Sequence, residues 1–134
     1  MKVSQGVDVF DISKVPSFKY LYRYTEVIRG ILIPPPIFII KFCGIFQLKE
    51  FELDMLKEVI QRLQSSKIII ILSDVEENVR YQLGECEIEK KVNIENVFYS
   101  VKDALLKATR LKEKKLDRFH PLIALSRPQN MQNL

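Results

Sequence analysis

Two short apolar runs set the frame of this chain. Ile37 to Phe42 is apolar apart from Lys41, rich in β-branched residues and bounded by Pro36 and Gly44; Ile68 to Leu72 is a second such run, behind Ser65 and Ser66. Runs of this length without polar alternation read as strands covered on both faces. Between them Phe51, Met55, Leu56, Val59, Ile60 and Leu63 fall on one helical face, while Glu52, Asp54, Lys57, Glu58 and Arg62 fall elsewhere. A strand, a helix of about four turns and a second strand form the pattern of a right-handed parallel crossover. The chain is therefore expected to build a parallel sheet with helices laid on it.

The flanks extend that unit. Val7, Val9 and Ile12 nearly alternate and Pro16 then breaks the pattern, which predicts a strand, a tight turn and a short second strand near Phe18, an N-terminal hairpin. Tyr20, Tyr24, Val27, Ile28 and Ile31 recur at helical spacing up to Gly30 and the prolines Pro34, Pro35 and Pro36. After Leu72, Ser73 or Asp74 can cap a helix through Val75, Val79 and Leu83 that stops at Gly84. Ile94 to Phe98 predicts another strand, and Ser100 with Asp103 opens a last helix carrying Val101, Ala104, Leu105 and Ala108. The expected fold is α/β, an N-terminal hairpin joined to a mostly parallel central sheet of about five strands with about four helices. One domain is expected over residues 1–111. A basic, mobile C-terminal tail is expected over 112–134, with His120, Pro121, Pro128 and a Gln/Asn-rich end.

Composition supports one self-sufficient domain. With 134 residues, 47% of them apolar, the chain can close a core without disulfides or a metal, and disorder throughout is excluded. Cys43 and Cys86 form no CxxC pair and are expected to be free, buried thiols in a reducing compartment. No apolar run approaches the roughly 18 residues of a spanning helix, and Met1 to Gly6 lacks the basic and apolar regions of a signal peptide. The chain by itself is expected to be soluble and cytoplasmic. The formal charge of +4 is carried by one segment: Arg110 to Arg127 holds six basic residues against Glu113 and Asp117, so the body is neutral. That is a poor footprint for a nucleic-acid module, which presents its cations on the folded surface.

Catalytic chemistry finds little support. His120 is the only histidine and sits where nothing rigid orients it. Gly6, Gly30, Gly44 and Gly84 make neither a GxGxxG nor a P-loop cradle, and the cysteines have no histidine near them in sequence. Glu50, Glu52 and Asp54 could be weighed as paired carboxylates, but a helix's first turns favour negative charge without any catalytic purpose. Alternating Phe18, Tyr20, Tyr22 and Tyr24 are expected to pack, with some facing out. No catalytic residue, no cofactor and no metal site is expected.

Four stretches in order resemble the STAS family, the domain shared by sulphate transporters and anti-sigma-factor antagonists. GVDVFDI at 6–12 is similar to its opening strand and PPPIFIIKF at 34–42 to the strand entering its signature loop. IIIILSDVEENVRYQL at 68–83 is similar to its third strand and helix, and NIENVFYSVKDALLKA at 93–108 to its closing strand and helix. With Pro16, Ser17 and Phe18 after the first strand, the chain looks most like the C-terminal cytoplasmic domain of a sulphate-permease (SulP) anion transporter. The resemblance implies a non-enzymatic regulatory and protein-interaction domain at the cytoplasmic face of the inner membrane. Its implied partners are the transmembrane domain of the same transporter and a cytoplasmic regulatory protein, with a possible homodimer, no nucleic acid and no direct membrane insertion by this segment. The implied partner surface is the loop Cys43, Gly44, Ile45, Phe46, Gln47, Leu48, Lys49 and Glu50. Antagonists of the family carry an Asp-Ser-Ser/Thr-Gly motif with a phosphorylated serine at the start of the following helix. Here the matching positions read Lys49, Glu50, Phe51 and Glu52, so Glu50 stands at the phosphoacceptor position and cannot be phosphorylated there. The alternatives are a stand-alone antagonist-like protein without the switch, and a small-ligand module using the crevice at the carboxyl ends of the strands.

Overall fold

A computed structural model describes the backbone of residues 2–4 and 6–126 and the side chains of residues 6–114. The crossover expected from the sequence is present. Strand β3 (Ile37–Lys41) leads into helix α2 (Glu50–Ser65) and then strand β4 (Ile69–Ser73), and β3 pairs with β4 in parallel from Ile37 opposite Ile69 to Lys41 opposite Ser73. Strand β2 (Val7–Asp11) flanks β3 in parallel on the other side, and β1 (Lys2–Ser4) pairs antiparallel with β2, so the strand order is β1-β2-β3-β4. The pleat sends alternate side chains to two layers. Phe38, Ile40, Ile70 and Leu72 pack under helices α1 (Phe18–Arg29), α2, α3 (Glu77–Glu85) and α4 (Ile88–Val92). Val7, Val9, Ile37, Ile39 and Ile71 meet Ala104 and Ala108 of helix α5 (Val101–Ser126). Ala104 and Ala108 are buried on that contact, where their small side chains permit a close approach of α5 to the sheet.

Several expectations are corrected. The hairpin lies earlier than the sequence predicts: β1 supplies the second strand, whereas Phe18 opens α1, where Ser17 Oγ accepts from Lys19 N–H at 3.3 Å as N-cap. The buried face of α1 is Phe18, Leu21, Thr25 and Ile28, while Tyr20, Val27 and Ile31 are exposed. Among the described residues the sheet has four strands rather than about five, and there are five α-helices rather than about four. The missing strand is Ile94 to Phe98. Asn93, with φ +79°, turns the chain into a 3-10 turn over Ile94–Asn96, and only Val97 bridges to Leu72. The added helix is α4. Helix α3 starts at Glu77 and runs through Gly84, with Val75 buried ahead of it.

Tyr24 ties α1 to the sheet. Its ring lies 5.2 Å from that of Phe10 and 6.0 Å, stacked, from that of Phe38, and its hydroxyl donates to Asp8 Oδ2. Burial first, and then the hydrogen bond and charge of Asp8, push its pKa up from 10.0 to about 12. Below pH 10 the phenol is neutral folded and unfolded, so its contribution is fully present. Between pH 10 and about 12 the unfolded chain releases the proton that the native state keeps, and this stability is lost. Urea unfolding repeated across that window should show falling stability in the parent. Tyr24→Phe should be less stable at neutral pH, having lost the bond to Asp8, and should show a shallower decline above pH 10.

Candidate functional site

The carboxyl ends of the parallel strands form one end of the molecule, and the loop between β3 and α2 covers it. Phe42, fully buried, continues β3 by donating its N–H to Ser73 O at 2.9 Å. The chain then reverses: Ile45 N–H donates to Phe42 O at 3.0 Å, and Gly44 takes φ +77°, the left-handed conformation that the third residue of such a turn requires. Beyond the turn the loop is held from α3. Asn78 Nδ2 donates to Phe46 O at 2.8 Å. Gln82 grips both backbone groups of Leu48, accepting from its N–H at 2.8 Å and donating to its C=O at 2.7 Å. Helix α2 begins next, where the Glu52 carboxylate accepts from Lys49 N–H at 2.8 Å.

This anchoring divides the eight loop residues. Leu48 is buried and belongs to the core, and Ile45 is half-buried against it, so neither offers a free surface. Cys43, Gly44, Phe46, Gln47, Lys49 and Glu50 are exposed. Phe46 is 66% exposed and Phe51, which its spacing assigns to the buried face of α2, is 58% exposed with Lys49 Nζ 6.0 Å from its ring centre. The loop thus shows two aromatic side chains on a backbone fixed at both ends. Asn78 and Gln82 carry no signal in the sequence. They lie four apart on one side of α3, but nothing in the sequence says which loop that side meets.

Glu50, Glu52 and Asp54 serve the helix start. Glu50 is exposed on the first turn, Glu52 is engaged at Lys49, and Asp54 is exposed. The expectation of buried thiols is corrected: Cys43 is exposed, and Cys86 is half-buried with its thiol 3.7 Å from Leu83 O. His120 lies outside the residues whose side chains are described. Among the described residues no three Cys, His, Asp or Glu side chains converge to hold a metal ion.

Beside the loop a cleft of about 240 Å³ is lined by Cys43, Gly44, Asp74, Val75, Glu76 and Tyr99. Its far wall is fixed by Arg80, which donates to Val97 O at 2.7 Å and stacks 4.8 Å over the Tyr99 ring. The charged groups on the lining are the carboxyls of Asp74 and Glu76, with the Arg80 guanidinium behind the Tyr99 ring.

The sequence matches no family model and no curated relative. Solved structures do match. A sulfate transporter family protein from Wolinella succinogenes is 22% identical with a TM-score of 0.72, the match covering 83% of this chain and 91% of that one. The STAS domain of a SulP transporter from Vibrio cholerae is 21% identical with a TM-score of 0.75, covering 84% and 88%. At such identities the likeness speaks for the fold, and it agrees with the order of elements and with the four stretches that resemble the family. The chain folds as a STAS domain.

Proposed function

We propose that this chain is a non-enzymatic regulatory and interaction domain of a sulphate-permease-type anion transporter, acting at the cytoplasmic face of the membrane through the β3–α2 loop. The observation that carries the reading is the loop itself. Its backbone is clamped by Asn78 and Gln82, while Phe46 and Phe51 stand out into solvent. Exposed aromatics on a preorganised backbone are the usual anchors of a protein interface, because they gain contact area with little ordering cost. The absence of a phosphorylatable residue at Glu50 favours a constitutive contact over a kinase-driven switch.

A pull-down from detergent-solubilised membranes of the source cell tests this. The parent chain is expected to retain an anion transporter, and Phe46→Ser to reduce capture by about tenfold or more, the scale of one lost hot-spot residue. Glu50→Gln should leave capture unchanged and cost at most about 1 kcal/mol of stability, since it removes only a first-turn charge. Retention of soluble proteins alone, or equal capture by Phe46→Ser, overturns the proposal.

A further inference from the structure

The opposite end of the sheet carries the most exposed large apolar side chains among the described residues. Helix α1 closes at Gly30, and the chain then projects Ile31, Leu32 and Ile33, of which Leu32 is 96% and Ile33 82% exposed; Val27, on the last turn of α1, is exposed as well. The base of this finger is pinned. Pro36 O accepts from Ile69 N–H at 2.9 Å, and Pro34 to Pro36, lacking N–H donors and fixed in φ, form a stiff stalk that keeps the tip from folding back onto the core.

Basic residues outnumber acidic ones near that base, where Arg29 is paired with Glu26 at 2.8 Å and Glu113 is exposed between Lys112 and Lys114. Arg29, at the end of α1, donates to Ser66 Oγ at 3.0 Å, which sets the Ser66–Lys67 turn beside the finger. Helix α5 runs toward this end: Ala104 and Ala108 lie on the sheet, and the Lys112 stem and Pro36 ring flank Gly6, each within 3.6 Å of where a β-carbon would stand. Arg110 and Lys114 are exposed on the same stretch, and the helix continues to Ser126 within the segment that holds the whole basic excess of the chain.

We propose that this end docks on an anionic lipid surface, with Leu32 and Ile33 entering one leaflet and residues 110–114 of α5 lying near the headgroups. A protruding aliphatic tip needs no preformed pocket in a bilayer, which yields to it. The cations around its base match an acidic surface, which attracts Lys and Arg near the membrane. No described helix is long and apolar enough to cross a membrane, and a surface contact of a few side chains needs none. The proposal departs from the expectation of no membrane insertion by this segment, and it is independent of the loop contact, since it concerns the other end of the domain and a lipid partner.

The test uses the full chain and vesicles of three parts phosphatidylcholine to one part phosphatidylglycerol, with pure phosphatidylcholine as control. The parent should sediment with the anionic vesicles, bind the neutral ones at least about tenfold more weakly, and dissociate as salt is raised. Leu32→Ser/Ile33→Ser, altering only exposed side chains, should keep the parent's thermal midpoint and lose about tenfold or more of the binding. The chain has no tryptophan, so Leu32→Trp is a single reporter. Its emission should shift to the blue with anionic vesicles, while that of Phe46→Trp, at the opposite end, should not. Absence of binding, equal binding by the serine variant, or a blue shift at position 46 instead of 32 each overturns the proposal. So does sedimentation velocity showing that the finger joins two copies of the chain while vesicles go unbound.

Discussion

Phe38→Ala is expected to cost about 3–5 kcal/mol of unfolding free energy, the range for removing a fully buried phenylalanine. Phe38 sits at the centre of β3 with no exposed surface, pairs across to Asp8 of β2 and Ile70 of β4, and stacks its ring on Tyr24 of α1. Its loss empties the point where the first helix meets the sheet. Strands on both sides constrain the backbone, so the gap cannot close by local collapse. Domains of this size are stable by only about 5–15 kcal/mol, so the loss should move the urea midpoint far to the left or leave the chain unfolded at 37 °C. Phe51→Ala is the matched control: the same side chain, largely exposed on α2, should change stability by no more than about 0.5 kcal/mol. Similar losses for the two variants would contradict the arrangement of helix layers on the sheet.

The second large effect is expected at Gln82. Replacing it with alanine removes both partners of the Leu48 backbone at once, beside a side chain that is buried in the core. An unsatisfied buried polar group costs about 1–3 kcal/mol, and water can reach part of this loop, so a loss of about 2 kcal/mol is expected. The functional consequence should exceed the thermodynamic one. With the turn from Phe42 to Ile45, Asn78 on Phe46 O and Glu52 at Lys49 as the remaining ties, the middle of the loop around Gln47 and Leu48 loosens, and Phe46 must be ordered on binding. Hydrogen exchange of the Leu48 amide should accelerate well beyond that of the α2 amides, and partner capture should fall although no contacting side chain has changed. Unaltered protection at Leu48 would mean that the clamp does not hold the loop.

The β3–α2–β4 crossover was legible because periodicity reports burial directly. A run such as Ile37 to Phe42 is stable only where both faces are covered, and Leu56, Val59, Ile60 and Leu63 leave α2 one inward face. Gly44 was legible only as the boundary of that run; the structure adds that it turns there with φ +77°, a conformation glycine adopts without a steric penalty. The face of α1 was legible only in part: Tyr24 and Ile28 of the expected stripe pack on the core, but Tyr20, Val27 and Ile31 do not, and the sheet takes Phe18, Leu21 and Thr25 instead, the Thr25 hydroxyl donating to Tyr22 O at 2.7 Å. Ile94 to Phe98 reads as a short strand, yet the positive φ of Asn93 and the 3-10 turn over Ile94–Asn96 leave a single bridge at Val97.

At the candidate site the same division holds. That a loop follows β3, and that an acidic helix start follows the loop, are properties of neighbouring residues and could be read from them. What gives the loop its shape comes from Asn78 and Gln82, 32 and 34 positions further along, and from the burial of Leu48. The solvent-facing finger at Leu32 is the converse case. Ile31 reads as the end of a helical stripe and Leu32 and Ile33 carry no periodic signal, and only the path of the sheet and the stiffness of Pro34 to Pro36 leave them uncovered. The sequence by itself determined the parallel crossover and its two-faced core, because local apolar periodicity dictates burial. Only the tertiary structure decided which of the remaining apolar residues are covered and which loops are held rigid, because those outcomes depend on contacts between segments far apart in the chain.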